Sequence, residues 1–228
     1  MIIEQRPSPN QEDRPGAGLV DFLILHYTGM RSAQEALDRL CDPAAKVSAH
    51  YCIDEDGRTW ELVPESRRAW HAGVCYWDGI TDINSRSIGI ELVNPGHAFG
   101  YRPFPQAQIE SLENLCRSVL ERHNIAPQRI LGHSDLAPLR KEDPGELFPW
   151  RRLAENGIGL WCDEPLDTDR DLVGALQEIG YGYMDEDAGK VIAAFQRHWR
   201  PASVTGKDDP ETRGLAAALL QRIEQSFA

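Results

Sequence analysis

The sequence has few cysteines, and they provide no basis for a disulfide framework. The chain of 228 residues contains five, an odd number, and no pair of them forms a Cys-x-x-Cys motif. They are Cys41, Cys52, Cys75, Cys116 and Cys162. Free thiols are typical of a reducing compartment, and a cysteine of this kind usually serves as a small buried hydrophobic residue. We therefore expect buried free thiols and a cytoplasmic location.

Long apolar runs are also absent. No segment approaches the ~20 apolar residues that a membrane-spanning helix needs. The first residues, Met1 to Pro7, show neither the basic start nor the apolar run of a secretory signal. We expect no membrane span. A periplasmic or outer-membrane-associated location is the alternative to the cytoplasm, if a signal was removed or another export route is used.

Positive charge is scarce. The chain carries 24 basic and 36 acidic residues, which gives a formal net charge of −12. Nucleic-acid binding depends on patches of lysine and arginine, so we expect no nucleic-acid partner. The hydrophobic fraction of 41% supports a proper core, and the length fits one medium domain plus a small one. Nothing in the sequence indicates an oligomeric state.

The chain lacks a His-Glu-x-x-His helix, but three separate strings supply ligands for a hydrolytic zinc centre. His26 and His133 each follow an apolar run that predicts a buried strand, and Asp143 precedes a Pro-Gly turn. Taken singly, each histidine is more often a surface or hydrogen-bonded core residue than a ligand. Together, two imidazoles and a carboxylate are the three protein ligands of a catalytic zinc, whose fourth position holds water. Such a zinc makes hydroxide available near neutral pH.

Strands that alternate with helices predict an α/β domain with a mixed central sheet flanked by helices. Residues 1–18 are polar and rich in proline and glycine, which predicts an extended arm. The α/β domain is expected over 19–160, and three helical patterns predict a small helical domain over 165–228. The predicted strands are 19–25, 49–54, 58–63, 87–93 and 129–131. One predicted helix begins at the capping box at Ser32. The other predicted helices cover 105–123, 150–155, 169–179, 185–199 and 210–227.

Glu91 is the candidate base. In the string Ser87-Ile88-Gly89-Ile90-Glu91-Leu92, the large apolar residues alternate with Gly89 and Glu91. Successive side chains of a strand point to opposite faces, so Glu91 is expected to face a cleft while the isoleucines face the core.

These strings resemble the zinc-dependent N-acetylmuramoyl-L-alanine amidases of the type 2 amidase superfamily, which are relatives of peptidoglycan recognition proteins and phage amidase lysozymes. The matching strings span roughly residues 19 to 157. They are His26-Tyr27-Thr28, Val47-Ser48-Ala49-His50-Tyr51, Ala69-Trp70-His71-Ala72-Gly73, Ser87 to Asn94, Gly132-His133-Ser134-Asp135 and Arg140 to Gly145. The C-terminal segment resembles, less closely, a peptidoglycan-binding helical module. Leu139 is a departure, because a small residue is expected before Arg-Lys, and it puts the shape of that loop in doubt.

The resemblance implies one Zn²⁺ per chain, held by His26, His133 and Asp143, with Glu91 and Lys141 as the catalytic pair. Spacing alone supports only metal-assisted amide or ester hydrolysis.

The resemblance also places the aromatic segment from Trp70 to Trp77 beside the substrate cleft. The candidate substrate-binding residues are Trp70, His71, Asn84, Arg140 and His50. Alternatives remain open for three of them: Trp70 as a core residue, His50 as a structural or hydrogen-bonding partner, and Arg140 as a brace for its loop.

The implied substrate is peptidoglycan or a muropeptide. The bond cleaved joins the lactyl carbonyl of N-acetylmuramic acid, intact or in its 1,6-anhydro form, to L-alanine of the stem peptide, in wall turnover or muropeptide recycling. The alternatives are a non-catalytic peptidoglycan-binding module, a zinc hydrolase of another amide, and a wall-degrading amidase toxin.

Overall fold

The structure is a computed structural model that describes residues 2–16 and 18–226. Met1 and Ala17 of the predicted arm, and Phe227 and Ala228 of the predicted C-terminal domain, lie outside the described residues. No helix among the described residues is both long and apolar enough to span a bilayer.

Eight strands and eight α-helices are assigned in the described ranges. The strands are β1 (Ile3–Gln5), β2 (Gln11–Asp13), β3 (Phe22–Tyr27), β4 (Tyr51–Ile53), β5 (Thr59–Glu61), β6 (Arg67–Ala69), β7 (Ser87–Leu92) and β8 (Ile130–Gly132). The helices are α1 (Ala33–Cys41), α2 (Gly96–Phe99), α3 (Gln106–Arg122), α4 (His133–Leu136), α5 (Trp150–Glu155), α6 (Leu172–Ile179), α7 (Met184–Trp199) and α8 (Pro210–Gln225). Two short 3₁₀ turns, Ile83–Arg86 and Pro127–Arg129, precede β7 and β8.

Six strands form one mixed sheet in the order β1-β5-β4-β7-β3-β8. All neighbouring pairs are parallel except β4 and β5, which form an antiparallel hairpin around a turn at Gly57. Strands β2 and β6 form a separate antiparallel pair. The carboxyl ends of β3, β7 and β8 therefore meet at one edge of the sheet, the position at which α/β proteins usually bind ligands.

The sheet is covered on both faces. Leu23 and Leu25 of β3 pack with the buried stripe of α3, whereas Phe22 and Ile24 belong to a cluster that includes buried residues of α6, α7 and α8. The alternation within one strand thus explains the three layers, because each face of β3 must be shielded from water. The predicted fold class, a mixed sheet flanked by helices with three C-terminal helices, is confirmed.

Some boundaries differ from prediction. The strand predicted over 19–25 runs from Phe22 to Tyr27, so His26 lies within a strand rather than after it. The predicted arm is extended but adds β1 and β2 to the two sheets, which its polar sequence did not indicate. The domain limits 19–160 and 165–228 stay a prediction, because the C-terminal helices share an apolar cluster with the sheet.

Arg14 attaches the N-terminal segment to the rest of the fold. Its guanidinium is buried and donates to the backbone oxygens of Glu65 (2.9 Å), Ser85 (3.0 Å) and Ser87 (2.8 Å). One of its nitrogens also lies 3.0 Å from Nε2 of His50. Burial lowers the pKa of Arg14 to about 10, so the side chain remains charged at neutral pH. The segment is therefore a structural part of the domain.

We predict that Arg14→Ala lowers the free energy of unfolding by about 3 kcal/mol, because several buried carbonyl oxygens lose a charged donor. Arg6→Ala is the matched control, since Arg6 pairs with Asp38 at the surface of the same segment. That change should cost less than about 1 kcal/mol. Urea denaturation measures both, and equal losses would contradict the role given to Arg14.

Candidate metal centre and active site

Three predicted ligands converge at the edge of the sheet. Nδ1 of His26 lies 3.0 Å from Nδ1 of His133 and 3.0 Å from Oδ2 of Asp143, and the latter two atoms are 3.1 Å apart. His26 ends the buried part of β3, His133 begins α4 directly after β8, and Asp143 lies in the following loop. All three side chains are buried. Among the described residues, no other group of this kind is close enough to hold a metal ion.

The donor set fits a tetrahedral zinc. Ligand atoms at zinc bond lengths of about 2.0–2.1 Å are separated by ~3.3 Å in tetrahedral geometry, within a few tenths of an ångström of the observed triangle. Burial lowers the pKa of His26 to about 4, so its imidazole is neutral and has a lone pair to offer at neutral pH. Burial alone raises the pKa of Asp143, but the adjacent His133 and His26 hold it well below its usual value. The carboxylate is therefore ionised.

Hydrogen bonds to the far side of each imidazole orient the ligands. Nε2 of His133 lies 2.9 Å from the carbonyl oxygen of Ala72, which can only accept, so the proton is on Nε2 and Nδ1 is left for a metal. Nε2 of His26 lies 3.0 Å from Nδ1 of His71, whose own Nε2 lies 3.0 Å from Oγ of Ser87. Partners of this kind fix the ring and the tautomer of a metal ligand.

Glycine at position 89 makes room for His71. A Cβ added to Gly89 would lie 2.5 Å from the His71 ring, closer than packed atoms approach. The glycine of the Ile-Gly-Ile string thus allows the His71 ring to pack directly against β7.

Glu91 enters the same cleft from β7. It pairs in register with His26 of β3, and the alternating Ile88, Ile90 and Leu92 face the core, as the pattern predicted. Its Oε2 is buried and has no hydrogen-bond partner among the described residues. Burial raises the pKa of Glu91 to about 8, with Asp143 adding to the shift and Lys141 opposing it. An unpartnered carboxylate beside the three ligands is available to a bound water.

Two of the ligands, His133 and Asp143, border an open cleft of about 370 Å³ together with Glu91. Its apolar wall includes Met30, Val47 and Trp70, and Lys141 lies on its polar side. A cleft of mixed lining suits a substrate with both apolar and hydrogen-bonding groups.

Only some of the candidate substrate-binding residues line the cleft in the structure. Trp70, His71 and Arg140 line the cleft. Oδ1 of Asn84 accepts from the backbone N–H groups of His71 (3.1 Å) and Ala72 (2.8 Å), so it supports the His71 segment without lining the cleft.

His50 is likewise placed away from the cleft. It is fully buried, and its Nδ1 accepts from the N–H of Gly89 at 2.9 Å.

Arg140 donates through Nε to the carbonyl oxygen of Val74 at 2.9 Å and through Nη2 to that of Ala72. The geometry therefore favours the structural alternative for His50 and the brace for Arg140.

Several supporting residues were not found from the sequence. Arg14, Tyr181 and His198 reach the site only through tertiary contacts, which no spacing in the sequence marks. Ser87 begins a matched string, but its contact with the His71 ring is also tertiary. Met30 lies two residues after one matched string and Val47 begins another, and these positions are the one signal that could have placed them in the cleft.

The chain matches one family model over residues 15–146, that of the N-acetylmuramoyl-L-alanine amidases. It is 37% identical to the N-acetylmuramoyl-L-alanine amidase AmiD of Escherichia coli, over 90% of this chain and 84% of that protein. It is 32% identical to the 1,6-anhydro-N-acetylmuramyl-L-alanine amidase AmpD of the same species, over 67% of this chain and 95% of that protein.

Solved structures resemble the whole chain. A complex of E. coli AmiD with anhydro-N-acetylmuramic acid-L-Ala-D-gamma-Glu-L-Lys superposes with a TM-score of 0.81 at 36% identity, covering 96% of this chain and 94% of that one. AmpDh3 of Pseudomonas aeruginosa in complex with an anhydromuramic pentapeptide gives a TM-score of 0.82 at 33% identity, covering 92% and 94%.

We predict that His26→Ala, His133→Ala and Asp143→Ala each reduce bound zinc from about one ion per chain to below about a tenth, because each removes one of three protein ligands. Elemental analysis after dialysis against zinc measures the ratio. His123→Ala is the control, because His123 pairs with Glu65 and does not line the cleft. Retention of a full zinc complement by any of the three ligand variants would contradict the assignment.

The raised pKa of Glu91 predicts a pH-dependent stability difference in metal-free protein. The unfolded chain ionises Glu91 near pH 4.5, but the folded chain resists ionisation until about pH 8. The wild type should therefore lose stability relative to Glu91→Gln as the pH rises from 5 to 8, and the difference should level off above that. Urea denaturation with a chelator present tests this. A difference that is constant across the range would show that Glu91 ionises normally.

Proposed function

The chain belongs to the N-acetylmuramoyl-L-alanine amidase family, and we propose that it hydrolyses the amide bond between the lactyl group of N-acetylmuramic acid and L-alanine with one zinc ion per chain. The observation that carries the proposal is the convergence of His26, His133 and Asp143 beside the unpartnered carboxylate of Glu91. Two nitrogen donors and one oxygen donor leave a zinc with an open position, as a hydrolytic centre requires.

Bound by these three side chains, zinc supplies a Lewis acid that makes hydroxide available near neutral pH. Glu91 takes the proton from the attacking water and then delivers it to the leaving amine of L-alanine. Without the ion, burial raises the pKa of Glu91 to about 8; the positive charge of a bound zinc ion would lower that pKa and favour the carboxylate that accepts the proton.

Lys141 stabilises the negative charge that develops on the carbonyl oxygen. It lines the cleft two residues before the ligand Asp143, so one loop carries both the ammonium and a metal ligand. A fixed donor of this kind lowers an acyl-transfer barrier by about 3–4 kcal/mol.

The substrate class we propose is a peptidoglycan fragment, with the anhydromuramyl peptides as first candidates. Two structurally similar amidases are known in complex with anhydromuramyl peptides. The apolar wall at Met30, Val47 and Trp70 offers contact to a sugar ring and a lactyl methyl group, which suits this class of ligand. Trp70 and His71 are the substrate-contacting residues that we retain.

The non-catalytic alternative has less support, whereas a wall-degrading amidase toxin would use the same centre and stays an alternative. A non-catalytic binding module does not need a complete ligand set, whereas this chain has all three ligands together with Glu91 and Lys141.

A cytoplasmic location remains our prediction, and it is supported by five cysteines that all have free thiols.

Incubation with soluble anhydromuropeptide and, in parallel, with sacculi tests the proposed reaction. We expect the free stem peptide to be released from the soluble substrate, to disappear after treatment with a chelator and to return with added zinc, because the nucleophile depends on the metal. Mass spectrometry of the products identifies the bond cleaved. Cleavage at another bond, or release that is unchanged by the chelator, would contradict the proposal.

Glu91→Gln and Lys141→Met should retain zinc yet lose turnover. We expect kcat to fall by about 10²–10⁴-fold for Glu91→Gln, which removes the proton carrier. Lys141→Met should reduce kcat by about 10²–10³-fold, because the oxyanion loses its donor. Lys207→Met, at an exposed position of the C-terminal segment, is the control and should be fully active. Normal turnover in either cleft variant would remove that residue from the mechanism.

A further inference from the structure

Asp135 lies two residues after the ligand His133, and its carboxylate is completely buried. Its Oδ2 accepts from the backbone N–H of Gly132 at 2.8 Å, which closes the turn where β8 ends and α4 begins. His133 leaves the sheet within this turn. The orientation of the Asp135 carboxylate therefore fixes the backbone that presents a metal ligand.

The other two partners of Asp135 come from the C-terminal helices. The hydroxyl of Tyr181, in the turn between α6 and α7, donates to Oδ1 at 2.6 Å. Nδ1 of His198, near the end of α7, lies 2.7 Å from Oδ2. These residues are 46 and 63 positions away from Asp135 in sequence. The family model ends at residue 146, so both lie outside the part of the chain that this model covers.

Both donors are held rigidly. The ring of His198 stacks between those of Trp150 and Trp199, with centroids 3.8 Å and 4.2 Å away. The Tyr181 ring packs edge-on against Trp77 at 4.8 Å. Burial raises the pKa of Tyr181 well above its ordinary value, so its hydroxyl keeps the proton that it donates.

The same turn touches the segment of a second ligand. A Cβ at Gly132 would lie 2.7 Å from Cδ of Pro144, the residue after Asp143, and 3.3 Å from the ring of Trp150. The N–H of Ser134 donates to the carbonyl oxygen of Asp143 at 2.9 Å. A shift of the turn would therefore move His133 and Asp143 relative to His26.

We propose that Tyr181 and His198 are positioning residues for the metal centre, and that through Asp135 they hold the turn that presents His133. The C-terminal helices then complete the amidase site in addition to any contact that they make with the cell wall. This inference rests on the proposed metal centre. Partners in the outer sphere of a metal site typically change its affinity by 10–100-fold.

The test is zinc affinity in the full chain, measured by competition with a chromophoric chelator. Tyr181→Phe removes one hydroxyl and keeps the packed ring. His198→Phe keeps an aromatic ring between the tryptophans but removes the donor to Asp135. His198→Asn does the reverse, because its amide nitrogen can replace Nδ1 while the stacking is lost. Leu219→Ala, in the same apolar cluster, is the control for weakened packing.

We expect Tyr181→Phe and His198→Phe to weaken zinc binding by about tenfold or more, while Leu219→Ala binds zinc like the wild type. His198→Asn should bind zinc more tightly than His198→Phe even if it melts at a lower temperature. The reason is that the hydrogen-bond donor affects zinc affinity, whereas the ring stacking affects thermal stability. The absorption spectrum of the cobalt-substituted protein should shift in the same two phenylalanine variants, since it reports ligand geometry.

Two results would overturn the inference. One is zinc affinity within twofold of the wild type for both phenylalanine variants. The other is an equal loss of affinity in Leu219→Ala, which would assign the effect to general packing. Tyr181→Phe changes a single oxygen atom and decides the question even if the His198 variants fold poorly. Absence of zinc binding by the wild type is a distinct result, and it would contradict the proposed function itself.

Discussion

The structure depends on one constraint: three electron-rich atoms lie about 3 Å apart in a buried setting. Nδ1 of His26, Nδ1 of His133 and Oδ2 of Asp143 would repel one another unless a metal ion or a proton lies between them. Such repulsion is strong away from bulk water, so the surrounding protein must hold these groups in place. Parallel strands bring them to one sheet edge. The hydrogen bond that His133 donates to the Ala72 carbonyl oxygen, and the one between His26 and His71, prevent the rings from turning away.

The layers of the fold hold these three atoms in place. One face of β3 is shielded by α3, and the other by the C-terminal helices, which also reach Asp135 through Tyr181 and His198. The N-terminal segment contributes through Arg14, which binds the backbone at Ser87, and the Ser87 hydroxyl contacts His71. Segments from both ends of the chain therefore support a centre whose ligands all lie between residues 26 and 143.

Much of this could be predicted where the determinants are local. The alternation in β7 predicted the direction of Glu91, and the capping box at Ser32 predicted the start of α1, where Ser32 accepts from the N–H of Glu35. The three ligands followed from their strings and the family resemblance. Tyr181 and His198 could not be predicted, because their contacts depend on how helices dock over 46 and 63 residues of chain. Strand β3 ends at Tyr27, two residues later than predicted, because its last residues, His26 and Tyr27, are polar.

The most direct test of the centre is X-ray diffraction from zinc-loaded crystals, with anomalous maps calculated on either side of the zinc absorption edge. A single strong peak is expected about 2.0–2.2 Å from Nδ1 of His26, Nδ1 of His133 and Oδ2 of Asp143, with one further position open to solvent. A peak bound by other side chains, or the three residues turned away from one another in the loaded protein, would contradict the metal centre described above.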